Sequence, residues 1–183
     1  MAGKKGKNNK GVVAGIIVFI AILVIGAVIF LWIMNTPGYI NIDKAVENYF
    51  TAVTNKDTSL YKKTCYTSKW QKEYNKGQSE MSLDEQIANA FTYQSGATYS
   101  DVKVVSVEKL DKSISETMHD KVSSRYGANI KVSQVKKVNF TVNMVFDGEN
   151  SSSGTLTRYC YKSGGKWFFL GDPDIIVDLG IEN

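Results

Sequence analysis

Residues 138–146, with the sequence VNFTVNMVF, carry the clearest structural signal in the chain. Apolar and polar side chains alternate along almost the whole stretch, which is the period of a β-strand whose two faces meet different surroundings. The pattern predicts a strand with one buried face. That face holds Val138, Phe140, Val142, Met144 and Phe146.

Two further strands are predicted on the C-terminal side of this stretch. The loop at residues 147–154 is followed by TLTRYCYK at residues 155–162 and by KWFFL at residues 166–170. Gly164 and Gly165 supply a tight turn between the last two stretches. The three stretches are therefore expected to be consecutive antiparallel strands.

The chain ahead of these strands holds one more strand and one more helix. Residues 102–110, VKVVSVEKL, are rich in β-branched side chains, and two overlapping alternations in them predict either a bulge or burial on both faces. Ser113 and Glu116 match a capping box, and Gly127 is a typical helix stop. A helix is therefore predicted over residues 113–126.

Three helices are predicted before the first strand. The first follows Asn41 and ends at the NKD sequence of residues 55–57, and the second begins directly after it. The third begins at a capping box whose first residue is Ser82. Residues 70–80 are predicted to be a polar loop. The order ααα-β-α-βββ predicts an α+β domain in which helices pack on a curved antiparallel sheet.

A separate signal lies near the N-terminus, where residues 12–34 read VVAGIIVFIAILVIGAVIFLWIM without one charged side chain. A helix of this length is roughly 34 Å long, which exceeds the hydrocarbon core of about 30 Å. The stretch therefore predicts a transmembrane helix. A cleaved signal peptide is the alternative, but its apolar region is shorter and ends at small residues. The apolar stretch at residues 12–34 ends instead at bulky residues.

The charges predict the orientation of this helix. The net charge of +4 arises within the first ten residues, and no acidic residue lies among them or in the apolar stretch. The positive-inside rule then places residues 1–11 in the cytoplasm and, beyond a linker at residues 35–41, a domain at residues 42–183 outside the cytoplasmic membrane. Trp32 and Tyr39 are expected to anchor the outer interface. The membrane-orienting residues are Lys4, Lys5, Lys7 and Lys10.

The same end of the chain offers a weak signal for self-association. Gly11 and Gly15 form a G-x-x-x-G pair, which permits two helices to approach closely. The alternative is an ordinary helix that faces lipid. A homo-oligomer is therefore one of two interpretations of this pair.

The chain lacks the patterns of several large functional classes. Beyond the first ten residues 18 basic residues balance 18 acidic ones, so no surplus of positive charge favours nucleic acid. No zinc-protease, C-x-x-C, P-loop or G-x-S-x-G pattern occurs. His119, the only histidine, lies beside the apolar stripe of its predicted helix, which favours a boundary or surface residue over a catalytic base. No cofactor or metal site is predicted.

The two cysteines allow two interpretations. Cys65 lies on a predicted helix and Cys160 on a predicted strand, both outside the predicted membrane helix. A helix packed on the sheet would bring them within bonding distance, and a disulfide would close a loop of about 95 residues. The alternative is a pair of buried, reduced thiols.

The chain also resembles a known family. A basic tail, one membrane span, the helical AVENYFTAVTNKDTSLYKKTC at residues 45–65 and the hairpin TRYCYKSGGKWFFLG at residues 157–171 are similar to membrane-anchored nuclear-transport-factor-2-like (cystatin-like) domains of Gram-positive bacteria. The resemblance covers residues 42–171. It implies a cone-shaped pocket between a curved sheet and helices. The helix at residues 113–126 departs from simple members of the family.

The resemblance also implies which side chains line the cone. Enzymes of this fold place a Tyr or Asp inside the cone. The candidate tyrosines here are Tyr49, Tyr61, Tyr159 and Tyr161. No acidic partner lies at a spacing that marks any of these tyrosines as catalytic. The predicted lining residues are Tyr49, Phe50, Tyr61, Phe140, Met144, Tyr159 and Trp167.

These observations predict a non-enzymatic binding or scaffolding domain, held at the outer face of the membrane by one span. Its partner would be a protein, an envelope component or a small ligand. One alternative is a subunit of an envelope assembly, such as a conjugation or secretion channel. Another alternative is an enzyme that acts on small molecules through a buried Tyr or Asp in the cone.

Overall fold

The computed structural model describes residues 18–29, 36–76, 81–93, 96–148 and 150–181. The chain divides into two compact units, Met1–Thr36 and Pro37–Asn183.

In the first unit, residues 18–29 form helix α1, and every one of these residues is exposed. Within the described residues, no helix is both long enough and apolar enough to cross a membrane. The predicted span at residues 12–34 extends past α1 at both ends, so it stays a prediction. The predicted Lys4, Lys5, Lys7, Lys10, Gly11, Gly15 and Trp32 all lie outside the described residues.

The second unit is an α+β domain in which helices pack on a curled, antiparallel sheet of four strands. The strands pair in the order β1-β2-β3-β4. Its elements are α2 (Ile42–Asn55), α3 (Thr58–Cys65), α4 (Ser68–Tyr74), α5 (Leu83–Tyr93), β1 (Ala97–Lys109), α6 (Lys112–Tyr126), β2 (Val132–Phe146), β3 (Asn150–Ser163), β4 (Lys166–Phe169) and α7 (Pro173–Asp178).

Strand β2 confirms most of the predicted buried face. Val138, Phe140 and Val142 are buried, and Met144 is half-buried. The prediction is wrong at Phe146, which is 44% exposed. Phe146 occupies the last paired position of β2, where the sheet ends.

Strand β1 contains the predicted irregularities. Its register against β2 shifts between Ser100 and Lys103 and again between Val104 and Ser106. The alternative, burial on both faces, is wrong, because Val105 is 62% exposed. Val105 lies within the second of these register shifts and has no paired residue on β2.

Side chains cap the starts of α5 and α6, whereas Asn41 at the start of α2 makes no side-chain cap hydrogen bond. One predicted cap is wrong. The box at α5 is confirmed, since the Ser82 backbone N–H donates to Glu85 Oε2 at 2.8 Å. At α6 the cap is Asp111, which accepts a hydrogen bond from the backbone N–H of Ser113 at 2.8 Å. Asp111 precedes the predicted capping box, and its side chain already accepts a hydrogen bond from one of the free N–H groups at the helix start. The predicted end at Gly127 is confirmed by its left-handed φ of 66°.

The predicted polar loop at residues 70–80 is wrong in its first half. Helix α4 begins after Thr67, whose side chain accepts a hydrogen bond from the Trp70 backbone N–H at 3.1 Å. Trp70 and Tyr74 then lie four residues apart on the helix, and both are buried. Two apolar side chains at helical spacing outweigh the polar residues around them.

Candidate functional site

The space between α2 and the sheet, where the cone was predicted, contains packed aromatic rings. The Phe50 ring centroid lies 5.2 Å from that of Phe140, and the Tyr49 ring stacks on Phe169 at 3.8 Å. Tyr159 is buried in β3. Trp167 is 7% exposed and lies under the ammonium groups of Lys136 and Lys162, at 4.9 and 5.4 Å.

A cavity of about 220 Å³ lies elsewhere, among α3, α5 and the connection from β4 to α7. Of the seven predicted lining residues, Tyr61 lines it and the other six do not. The lining residues are Tyr61, Tyr66, Gln86, Ile87, Asn89, Ala90, Gly171 and Pro173.

Two tyrosines form the aromatic wall of this cavity. The Tyr61 hydroxyl donates a hydrogen bond to the Gly171 carbonyl at 3.3 Å. Burial raises the pKa of Tyr61 and the pKa of Tyr66 well above the usual value. Both phenols therefore stay protonated at neutral pH.

Gly171 permits the close approach of chain and helix at this wall. A Cβ at this position would lie 2.8 Å from the Tyr61 hydroxyl oxygen and 2.9 Å from Cys65 Sγ. Both distances are shorter than van der Waals contacts allow. A side chain at residue 171 would therefore displace the tyrosine that walls the cavity.

Gln86 and Asn89 are the amide side chains among the residues that line the cavity. The Gln86 Oε1 atom is buried and has no hydrogen-bond partner among the described residues. An unpaired buried acceptor costs about 1–3 kcal/mol. None of the described residues that line the cavity is charged. The described lining is thus uncharged and mainly apolar, with Gln86 and Asn89 as its two amide side chains.

A buried hydrogen-bond pair holds the segment that closes one side of the cavity. The Tyr126 hydroxyl donates to Asp172 Oδ2 at 2.8 Å, and Asp172 Oδ1 accepts from the Ile175 backbone N–H at 3.1 Å. Burial raises the pKa of Asp172, although these hydrogen bonds oppose the shift. Arg125 on α6 also bonds Asp174 and Asp178 on α7. Helix α7 is thereby tied to α6.

The cysteines are present as two buried free thiols. Cys65 Sγ lies close to Gly171, and Cys160 lies on β3. Burial raises the pKa of both thiols, so little reactive thiolate forms at neutral pH. Of the two interpretations that the sequence leaves open, the structure contains the reduced pair.

This arrangement predicts the outcome of a thiol titration. The folded protein should react slowly with a maleimide, because both thiols are buried and protonated. In denaturant without reductant, two thiols per chain should react. A count of zero in denaturant would show that Cys65 and Cys160 are bridged.

His119 lies in a different environment. Its Nδ1 atom donates a hydrogen bond to the Ile130 carbonyl at 2.5 Å. Glu116, Asp120, Lys131 and Val132 line a surface depression beside it. In the part of the chain that the structure describes, no group of three His, Cys, Asp or Glu residues could hold a metal ion.

No protein-family model matches the chain, and comparisons with curated proteins and with solved structures find no significant match. The resemblance to nuclear-transport-factor-2-like domains therefore stays a prediction.

Sequence reasoning missed most of this cavity. Gln86 and Ala90 lie four residues apart, so helical spacing indicates that they share one side of α5. Tyr66, directly after α3, and Gly171, after β4, carry no such signal. Nothing in the sequence indicates that α5 packs beside α3.

Proposed function

We propose that this protein is a single-pass membrane protein whose C-terminal domain binds a ligand or partner outside the cytoplasm and has no catalytic role of its own. Residues 12–34 would span the cytoplasmic membrane, with residues 1–11 inside. The observation that carries this proposal is helix α1, in which every described residue is uncharged and exposed. A helix that is apolar on all sides requires an apolar environment, and a bilayer supplies one.

The binding role is supported by the neutral cavity beside α3 and α5. Its titratable lining residues, Tyr61 and Tyr66, have raised pKa values and would be poor general bases at neutral pH. A cavity whose described lining residues include no strong base, charged group or activated nucleophile favours binding over catalysis.

We also propose that the domain is a variant of the nuclear-transport-factor-2-like (cystatin-like) fold. Support comes from a curled antiparallel sheet on which the long helix α2 packs through Phe50 and Phe140. Helices α4 and α6 would be additions to the simpler family pattern.

Cysteine labelling tests the orientation directly. Because Cys65 and Cys160 are buried, the unmodified chain should give little background with a membrane-impermeant maleimide. Ser124 is exposed on α6, so Ser124→Cys should be labelled in intact cells. Gly3→Cys should be labelled only after the membrane is permeabilised.

Two results would contradict the proposal. Labelling of Gly3→Cys but not Ser124→Cys in intact cells would reverse the orientation. Release of the protein from membranes by alkaline carbonate would exclude a spanning helix. The wild-type chain serves as the control for labelling.

A further inference from the structure

We infer that one end of the C-terminal domain docks on anionic phospholipid headgroups of the membrane in which the chain is anchored. The contact is made by five lysines, which we call the lysine patch. This inference rests on the membrane span proposed above and names one partner of the domain beside it. The patch consists of Lys63, Lys109, Lys136, Lys162 and Lys166.

Three lysines of the patch lie on one face of the sheet, at one of its ends. Lys136 and Lys162 both place their ammonium groups over the Trp167 ring, at 4.9 and 5.4 Å from its centroid. Lys109 lies directly opposite Lys136 in the register of β1 and β2. Directly opposite residues of an antiparallel pair share one face of the sheet. Three positive charges are therefore gathered beside one indole ring.

The charges of these three lysines are not balanced by salt bridges among the described residues. The neighbouring acid on β1, Glu108, lies opposite Lys137 and, since it precedes Lys109, faces the other side of the sheet. Like charges at opposite positions, such as Lys109 and Lys136, destabilise a sheet. An anionic partner would remove this repulsion.

The other two lysines lie where the chain enters the domain. The Gly38 N–H donates a hydrogen bond to the Lys63 carbonyl at 2.9 Å, and a Cβ on Gly38 would lie 2.9 Å from the Lys166 Cβ. The next residue, Tyr39, pairs with Trp167 through two backbone hydrogen bonds of 2.9 and 2.7 Å. The entering chain therefore runs beside Trp167, next to the lysine patch.

The length of the connection to the predicted span holds the patch near lipid. Four steps of chain separate residue 34, the end of the predicted span, from Gly38, and an extended chain covers at most about 14 Å in four steps. The headgroup region takes up roughly 5–7 Å of this on each side of the bilayer. The remaining gap is comparable to the Debye length of about 8 Å at physiological salt, so the charges of the lipid act on the patch.

The rest of the domain carries the opposite charge. Beyond residue 10 the chain holds 18 basic and 18 acidic residues, so without the five lysines of the patch 13 basic residues remain against 18 acidic ones. An anionic surface therefore attracts the patch and repels the remainder of the domain. This distribution favours an anionic over a zwitterionic phospholipid and determines which end of the sheet faces the membrane.

Energy transfer from the domain to labelled lipid tests the docking. The full-length protein would be placed in nanodiscs of phosphatidylcholine alone, or of phosphatidylcholine and phosphatidylglycerol in equal parts, with an acceptor dye on a trace of the headgroups. Ser113→Cys and Ser152→Cys carry the donor dye in turn, since both serines are exposed whereas Cys65 and Cys160 are buried.

The two dye positions report on opposite ends of the sheet. Ser113 lies four residues after Lys109, whereas Ser152 is ten residues from Lys162 along β3. Ten residues of strand cover up to about 33 Å. We expect the ratio of transfer at Ser113→Cys to transfer at Ser152→Cys to be about twofold higher with phosphatidylglycerol than without it. In 1 M sodium chloride, where the Debye length is about 3 Å, the two compositions should give equal ratios.

Lysine variants separate the patch from the net charge of the domain. The patch variant combines Lys109→Gln, Lys136→Gln and Lys162→Gln, and it should lose the difference between the two lipid compositions. The control variant removes the same charge at exposed lysines outside the patch and should keep the difference. It combines Lys56→Gln, Lys72→Gln and Lys103→Gln. The comparison in salt changes no lysine, so it stays decisive where the patch variant does not fold.

Two outcomes of the transfer measurement would overturn the inference. Equal ratios in the two lipid compositions at low salt would show that headgroups do not attract the patch and would leave the lysines to a soluble polyanion or an acidic protein. Equal losses in the patch and control variants would assign the effect to net charge alone.

Failure of the proposed span is recognised separately. A chain without a spanning helix would not co-elute with the nanodiscs, and this result would overturn the span and the docking together. Both faces of a nanodisc have the same lipids, so the transfer ratio does not depend on the orientation in cells. Reversed cysteine labelling would therefore contradict the proposed orientation alone.

Discussion

Phe140→Ala is expected to lower the free energy of unfolding of the C-terminal domain by about 3–5 kcal/mol, as large buried aromatic residues do when truncated. Phe140 is fully buried in β2, a central strand, and its ring lies against Phe50 of α2. The change leaves a cavity between the helix and the sheet. For a domain of this size, each kcal/mol lowers the melting temperature by about 2–4 °C. Circular dichroism during heating measures the loss.

Phe146→Ala is the matched control for this prediction. Phe146 lies on the same strand and in the same alternating set as Phe140, yet it is 44% exposed. Its removal should cost clearly less than the removal of Phe140, because nearly half of the residue is already exposed to water. Equal losses for the two variants would show that the facing of β2 is wrong.

The sheet was predicted from its sequence where one face meets the helices and the other meets water. Along residues 138–142, each buried apolar side chain alternates with a half-buried Asn or Thr, and this produces the period of two. The first part of β2, from Val132, was missed because Lys136 and Lys137 interrupt the pattern. Lys136 nevertheless fits in the strand, since its ammonium group lies over the Trp167 ring at 4.9 Å.

The candidate site was predicted poorly because its position depends on how densely side chains fill the space between the helices and the sheet. The family resemblance implies an open cone, but the alternation of apolar residues does not tell whether Phe50, Phe140 and their neighbours leave room between them. In the structure these rings are in contact. The cavity instead depends on the distance between α3 and α5, which no local pattern encodes. Tyr61 belongs both to the predicted lining of the cone and to the lining of the observed cavity, because it lies between the packed rings and that cavity.

Trp70→Ala is the second change with a large expected effect, at a residue that the sequence assigns to a polar loop. Trp70 is fully buried, and its ring contacts Tyr66, Tyr126 and Tyr161 at centroid distances of 5.1, 5.7 and 6.0 Å. Truncation removes a contact shared by α4, α6 and β3. We expect a loss of about 3–5 kcal/mol in the free energy of unfolding.

The size of this loss decides between a polar loop and a buried helix at α4. Lys69→Ala, one residue earlier on the exposed side of the helix, should change the stability by less than about 0.5 kcal/mol. If residues 70–80 were a solvated loop throughout, Trp70→Ala would have as small an effect as Lys69→Ala.

Trp70→Phe separates the contribution of the aromatic ring from that of the indole N–H. That N–H is buried without a partner among the described residues, so replacing Trp with Phe should cost much less than replacing it with Ala. An unfolding experiment in denaturant on the three variants measures both differences, because the shift in midpoint reports stability when the slope is unchanged.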